Sequence, residues 1–334
     1  MDYRILGNTG VKVSSLCFGT MSFGGDADEA TSAAMFARCR DAGVNFFDCA
    51  NVYQKGRSEE ILGGLIVDCR DEVVITSKAY FPMGTDVNAR GAHRRHLLQA
   101  VEGSLQRLGT DFIDVYFIHR FDDDTPLEET VRALSDLVDQ GKILYPAASN
   151  FAAWQVAKAL GISALQSWAR FEVLQPMYNL VKRQAEVELL PMAESERLGV
   201  IPYSPLAGGL LTGKYGVTKR PEQGRLIGNA MYEKRYGDAW NYQVAEDFTA
   251  FASENGYSPV SLAVAWVGGH PGVTAPIIGA RNVRQLEGSL GAIEIEMTPD
   301  LRAAISALSP EPPPATDRNE ERAGDLFSAQ LTKK

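Results

Sequence analysis

The chain has 334 residues, 45% of them hydrophobic and 22% charged, and a net charge of −9. That balance excludes a largely disordered or fibrous polypeptide. It also argues against a surface for nucleic acid or an anionic membrane, since both need a basic patch. The local basic run Arg90-Gly-Ala-His-Arg-Arg-His96 reads as a solvated helix start. No apolar stretch follows a basic start, so no secretory signal is expected, and no run of about 18 apolar residues marks a membrane span. Cys17, Cys39, Cys49 and Cys69 form no Cys-x-x-Cys, so neither a disulfide framework nor a metal site is expected. Reduced thiols and a cytoplasmic location follow as the expectation.

In chain order, residues 1–15 predict a hairpin turned at Gly7-Asn8-Thr9-Gly10. Short, often β-branched apolar runs come next, at Leu16–Thr20, Val44–Asp48, Val73–Lys78, Ile113–His119, Ile143–Asn150, Phe171–Gln175, Val200–Ser204 and Val273–Gly279. Such runs suit strands buried on both faces. Helix-period segments separate most of them: Glu29–Ala42, Ser58–Val67, His96–Leu108, Leu127–Gln140, Lys182–Leu198, Tyr242–Asn255, Pro259–Val267 and Val283–Gly291. The strand ends Thr20, Asp48, Ser77, His119, Asn150, Gln175 and Ser204 recur at intervals of about 25–42 residues, the rhythm of a βα repeat.

Eight such strands fit an α/β fold of the (β/α)8 TIM barrel type, with the hairpin closing its floor. An open doubly wound sheet is the alternative, but its Gly-x-Gly-x-x-Gly turn does not occur. The barrel predicts one domain over residues 1–308. Residues 309–334, with Pro310, Pro312, Pro313 and Pro314, read as a loosely held tail in which Leu326 and Phe327 dock locally. The long polar segment Gly213–Asn241 lies between strands seven and eight, and loops of this length usually carry function.

Barrel chemistry collects at the C-terminal strand ends. Asp48, Lys78 and His119 each end an apolar run there, and Tyr53 follows Asp48 by five residues. Singly, each has an ordinary reading: a helix cap, a lysine reaching solvent, a structural histidine, a packing tyrosine. Four ionisable side chains on neighbouring loops point instead to one reactive mouth.

With these residues in place, the sequence resembles the aldo-keto reductase superfamily over roughly residues 3–308. The matching motifs are Phe18-Gly-Thr-Met21, Asn45-Phe-Phe-Asp48 with Tyr53, Gly56-Arg-Ser-Glu-Glu-Ile-Leu-Gly63, Ser77-Lys78, Ser104-Leu-Gln-Arg-Leu-Gly109 and Ile118-His119. They continue with Ser149-Asn150-Phe151, Tyr203-Ser-Pro-Leu-Ala-Gly-Gly-Leu-Leu-Thr-Gly-Lys-Tyr215 and Pro276-Ile-Ile-Gly-Ala-Arg281. The long-loop bacterial branches and the potassium channel β-subunits look closest. The resemblance implies reduction of an aldehyde or ketone with NADPH, NADH being the lesser candidate. It implies Tyr53 as proton donor and Asp48, Lys78 and His119 as its partners. A tyrosine titrates near pH ~10, so Lys78 is expected to lower Tyr53 toward neutrality, while His119 orients the carbonyl oxygen.

The same resemblance implies the cofactor contacts. Gly19, Thr20 and Met21 would lie under the nicotinamide, Ser149, Asn150 and Gln175 would hold its carboxamide, and Tyr203 would stack on its ring. Ser204, Pro205, Leu206, Gly208 and Leu210, with Lys214 and Arg225, would clamp the pyrophosphate. Gly279, Arg281 and Gln285 would meet the adenosine 2′-phosphate, with Ser289 beside the adenine. Gly288-Ser289 stands where the family carries Glu-Asn, and Pro146 falls inside the fifth strand. Phe23, Tyr80, Phe81, Phe121 and Trp240 are the candidate substrate-pocket aromatics. Two other readings compete: a redox-sensing, cofactor-binding subunit of a larger assembly, and a lyase using Lys78 as a Schiff base. Against the subunit reading, no inactivation-type extension precedes the hairpin.

Overall fold

The chain opens with two short strands, β1 (Tyr3–Ile5) and β2 (Lys12–Ser14), paired antiparallel with Tyr3 opposite Ser14. In this computed structural model, which describes residues 1–318, the hairpin leads into β3 (Cys17–Gly19), β4 (Phe46–Asp48), β5 (Val74–Ala79), β6 (Ile113–Ile118), β7 (Ile143–Ser149), β8 (Val173–Gln175), β9 (Gly199–Val200) and β10 (Ile277–Ile278). These eight form one parallel sheet in the order β10-β3-β4-β5-β6-β7-β8-β9. Its two ends meet: Thr274 N donates to Val200 O at 2.8 Å and Ile277 N to Pro202 O at 2.9 Å. The sheet is therefore a closed (β/α)8 barrel, as the strand spacing predicts.

Side chains alternate between two cores, because successive strand residues face opposite sides. Cys17, Phe46, Val74, Val115, Phe117, Ala147, Val173, Ile201, Ala275 and Ile277 fill the barrel, and Leu6 and Val13 of the hairpin plug it from below. The intervening residues, among them Phe18, Phe47, Ile75, Tyr116, Ile118 and Leu174, pack against the helices. The hairpin is the floor that the sequence predicts. Strand β7 passes through Pro146 unbroken, and the Pro146 carbonyl accepts from Glu172 N. Its missing N–H therefore faces a point before β8 begins, and no ladder bond is lost.

The helices α1 (Glu29–Asp41), α2 (Arg57–Ile66), α3 (Arg94–Leu108) and α4 (Leu127–Asp139) fall where their periodicity places them. A fifth, α5 (Ala153–Gln166), has no counterpart in the sequence reading. The helix expected over residues 182–198 shrinks to a 3-10 turn at Gln184–Glu186 and α6 (Leu189–Ser195). Pro191 lies in its first turn, where its lack of an N–H is tolerated and a longer upstream helix is not. The long segment after β9 carries α7 (Ala230–Tyr236) and runs into α8 (Ala239–Glu254). Helices α9 (Pro259–Gly268), α10 (Val283–Leu290) and α11 (Pro299–Ser306) complete the ring. Beyond α11 the described tail has no helix or strand, and Arg183 donates to the Ser306 and Ser309 carbonyls where it begins. Leu326 and Phe327 lie outside the described residues. No helix among the described residues is long and apolar enough to cross a membrane.

Candidate active site

The inward alternation that fills the barrel also builds the site. On β4, Phe46 points in, so Asp48 does too. The same phase carries Val74, Thr76 and Lys78 on β5, and Val115, Phe117 and His119 on β6. Above the last apolar layer, the inward positions turn polar at the mouth.

Lys78 has no solvent exposure, and its Nζ lies 2.7 Å from each carboxylate oxygen of Asp48 and 2.6 Å from the Cys49 carbonyl. Burial favours a neutral amine, but the Asp48 charge and its hydrogen bonds outweigh that and hold Lys78 above its usual range. Asp48 also accepts from Thr76 Oγ1 at 2.7 Å and from Gln175 Nε2 at 2.8 Å. Tyr53 stands over this pair, its hydroxyl 3.5 Å from Lys78 Nζ. Burial pushes Tyr53 up to about 12, Lys78 opposes that, and Asp48 reinforces it. Lys78 does lower Tyr53, as expected, but burial is the larger effect and keeps the phenol above its ordinary value.

His119 packs edge-on against Tyr53 and Phe81, with ring centroids 6.1 and 5.0 Å away. Burial, then the nearby Lys78 charge, pull it down to about 3, so it is a neutral imidazole at neutral pH. Its Nδ1 is buried without a hydrogen-bond partner among the described residues. Tyr80 packs on Phe81 at 5.3 Å, extending the aromatic wall. Phe121 turns the other way, to Phe151 and to Trp154 of α5, a mouth aromatic that the sequence reading missed with its helix. Trp240 sits half-exposed on α8, outside these ring contacts. Phe23 is a correction: it has no exposed surface and packs on Phe18 in the core, so it does not wall the pocket.

Around the mouth, Ser149 Oγ donates to Gln175 O, and Asn150 Nδ2 donates to His119 O. The Tyr203 hydroxyl donates to Asn150 Oδ1 at 2.7 Å. These bonds tie the ends of β6, β7, β8 and β9 into one rim. Gly19 is held to glycine by space, since a Cβ there would meet Ile277 at 2.8 Å. Thr20 is buried and donates to the Asp48 carbonyl, while Met21 is 40% exposed.

After β9 the backbone turns through positive φ at Ser204, Ala207, Gly208 and Gly209. Asn179, buried and not flagged by any sequence motif, holds this turn by donating to Ser204 O at 2.9 Å. Pro205 is buried, Leu206 and Gly208 are half-buried, and the Leu210 side chain is fully inside, so only its backbone faces the turn.

Beyond the turn, Lys214, Arg225 and Arg281 gather. Burial, then the charges of Arg281 and Arg225, hold Lys214 below its usual value. Arg281 alone of the three makes an ion pair among the described residues, with Asp26 at 2.9 Å. Three cations with one carboxylate fit a phosphate-rich nucleotide. Gly279 is exposed, and Gln285 accepts from Arg281 N at the start of α10. Ser289 is buried, and its hydroxyl has no partner among the described residues. Among the described residues, no group of three His, Cys, Asp or Glu is placed to hold a metal ion.

Comparison with known proteins agrees with this architecture. The family model described as "Aldo/keto reductase family" matches residues 15–310. A rice (Oryza sativa subsp. japonica) protein named "Probable voltage-gated potassium channel subunit beta" is 36% identical over 331 residues, covering 95% of this chain and 99% of that one. The "Uncharacterized oxidoreductase YrpG" of Bacillus subtilis is 36% identical over 328 residues, covering 93% and 97%. The "Versiconal hemiacetal acetate reductase" of Aspergillus parasiticus is 31% identical over 326 residues, covering 90% and 94%.

Proposed function

The chain belongs to the aldo/keto reductase family, and on that premise we propose that it reduces an aldehyde or ketone to an alcohol with NADPH, Tyr53 giving the proton. The observation that carries this reading is the Tyr53 hydroxyl beside Lys78, itself locked onto Asp48, under a neutral His119. NADPH, when bound, supplies the hydride.

The residues divide the remaining work by their protonation states. Tyr53 is a neutral phenol at neutral pH and carries the proton to be delivered. His119, neutral and with one N–H to offer, suits holding a carbonyl oxygen without surrendering a proton. As the proton leaves, the Tyr53 phenolate faces the Lys78 ammonium at 3.5 Å, which stabilises the developing charge. Asp48, fixed by Thr76 and Gln175, keeps that ammonium in place. Ser149, Asn150, Gln175 and Tyr203 are the residues that would hold the nicotinamide end, and the Ser204–Leu210 turn, Lys214, Arg225 and Arg281 the phosphates.

The three gathered cations favour NADPH over NADH. The Phe81–Tyr80 wall beside His119 favours a substrate with a flat apolar body. Small-molecule partners and a cytoplasmic location belong to the same reading. Loss of NADPH absorbance on incubation with aromatic, aliphatic and sugar-derived aldehydes tests it. Tyr53→Phe is expected to abolish turnover and keep nucleotide binding; turnover that survives in this variant overturns the assignment.

A second reading, a cofactor-binding subunit with little turnover, is favoured by the likeness to the rice protein. It predicts nucleotide binding with negligible reduction of every aldehyde and capture of a membrane-protein partner. The Schiff-base alternative fares worse. A nucleophilic lysine needs a depressed pKa, whereas Lys78 is buried between both oxygens of Asp48 and held protonated.

A further inference from the structure

The ion pair between Asp26 and Arg281 joins two loops on neighbouring strands. Asp26 follows β3, Arg281 follows β10, and β3 and β10 are paired in the sheet. The loop carrying Asp26 is a tight turn: Phe23 N donates to Thr20 O, Gly25 N and Ala27 N to Ser22 O, and Gly24 N to Ala27 O. Ser22, buried in its base, donates through Oγ to the Ala280 carbonyl at 2.7 Å. That bond docks the turn on the residue preceding Arg281. The Asp26 carboxylate is therefore placed against the Arg281 guanidinium by the fold, with Oδ2 2.9 Å from Nε. Burial, then the charges of Arg281 and Arg225, hold Lys214 below its usual value, and neither Lys214 nor Arg225 makes an ion pair among the described residues.

We propose that Asp26 sets the nucleotide preference at the adenosine end of the cleft. The proposal rests on the reading of Arg281 as the 2′-phosphate residue. A 2′-phosphate arriving at Arg281 meets a carboxylate already bonded there and must share the guanidinium with it or displace it. Two anions competing for one cation cost affinity for the phosphorylated nucleotide. A ribose with a free 2′-hydroxyl meets the opposite situation, because a carboxylate beside the sugar is an acceptor for that hydroxyl, as in dinucleotide sites that take NADH. Asp26 thus moderates the preference for NADPH that Lys214, Arg225 and Arg281 create, and it leaves the chain able to bind both nucleotides.

Direct binding tests this without turnover. Dissociation constants of NADPH, NADH, 2′,5′-ADP and 5′-ADP are measured by calorimetry for the unmodified chain, Asp26→Asn and Asp26→Glu, at low and high salt. In Asp26→Asn, NADPH and 2′,5′-ADP should bind roughly three- to tenfold more tightly, with NADH and 5′-ADP unchanged or weaker. Asp26→Glu should keep the original ratio, and added salt should narrow the difference. A ratio of NADPH to NADH affinity that stays within about twofold in Asp26→Asn overturns the role of Asp26 and leaves the reductase reading standing. Failure of all four probes to bind the unmodified chain overturns both.

Discussion

Lys78 Nζ lies 2.7 Å from each carboxylate oxygen of Asp48, and both side chains are cut off from solvent. Such a pair behaves as one neutral unit, and removing half of it leaves a buried charge with no counter-ion. Asp48→Asn should therefore destabilise the chain by about 3–5 kcal/mol. Lys78→Met should cost less, since Thr76 and Gln175 still donate to Asp48. The double variant should be markedly more stable than the sum of the two losses predicts, because it removes both charges. Urea unfolding of the four proteins measures the coupling; additive losses would show that the two charges do not act as a unit.

Burial of Tyr53 beside this pair fixes the direction of the pH dependence. Burial holds Tyr53 up to about 12, so the phenol is protonated throughout the accessible range. On the proposed mechanism, carbonyl reduction consumes that phenol and should be flat from about pH 6 to about pH 9. Alcohol oxidation consumes the phenolate, whose share grows about tenfold per pH unit below the pKa, and should climb accordingly. Single-turnover rates in both directions check this. A reduction rate that falls off above about pH 7 would mean that Lys78 dominates Tyr53 after all.

Much of this site is legible in the sequence because barrel strands impose a period of two. Once Phe46 and Val74 are inside, Asp48, two residues on, and Lys78, four residues on, must be inside as well. What escaped is tertiary. Helix α5 carries Trp154 and Leu165 on exposed positions opposite buried Val156, Ala159 and Leu160, so its apolar residues run around the axis and its period is blurred. Thr76, Asn179, Ser22 and Asp26 match no motif, and their partners lie on other strands or loops. Strand β9 is shorter than its apolar run because Pro202 lacks an N–H and Ser204 adopts a φ of 60°, turning the chain into the loop that follows.

Two histidines should make the fold acid-sensitive. Burial, followed by the charge of Lys78 at His119 and of Arg302 at His270, brings them down to about 3 and about 4. An unfolded histidine titrates near pH ~6.5. Between that value and the native ones, the unfolded chain binds protons that the native chain refuses, so stability falls as pH falls. The slope is at most about 1.4 kcal/mol per pH unit for each residue. Thermal unfolding at descending pH measures it, and His119→Asn should flatten the decline; an unchanged slope in that variant would assign the acid sensitivity elsewhere.

The barrel floor offers a paired test of packing against backbone conformation. Gly7 and Gly10 flank the hairpin turn, both with positive φ, at 57° and 77°. A methyl group at either position incurs the left-handed penalty of about 1–2 kcal/mol. At Gly10 nothing lies within 4 Å of the added carbon, so Gly10→Ala should cost only that. At Gly7 the added carbon would meet Gly199 N at 2.5 Å and Glu172 O at 2.8 Å, both backbone atoms at the entry of β9 and β8. Neither can yield without opening the barrel at its base, because Gly199 N itself donates to Glu172 O. Gly7→Ala should thus cost about 3 kcal/mol or more and loosen the seat of Leu6 in the inner core. Equal losses for the two variants would mean that the hairpin rests on the barrel without sealing it.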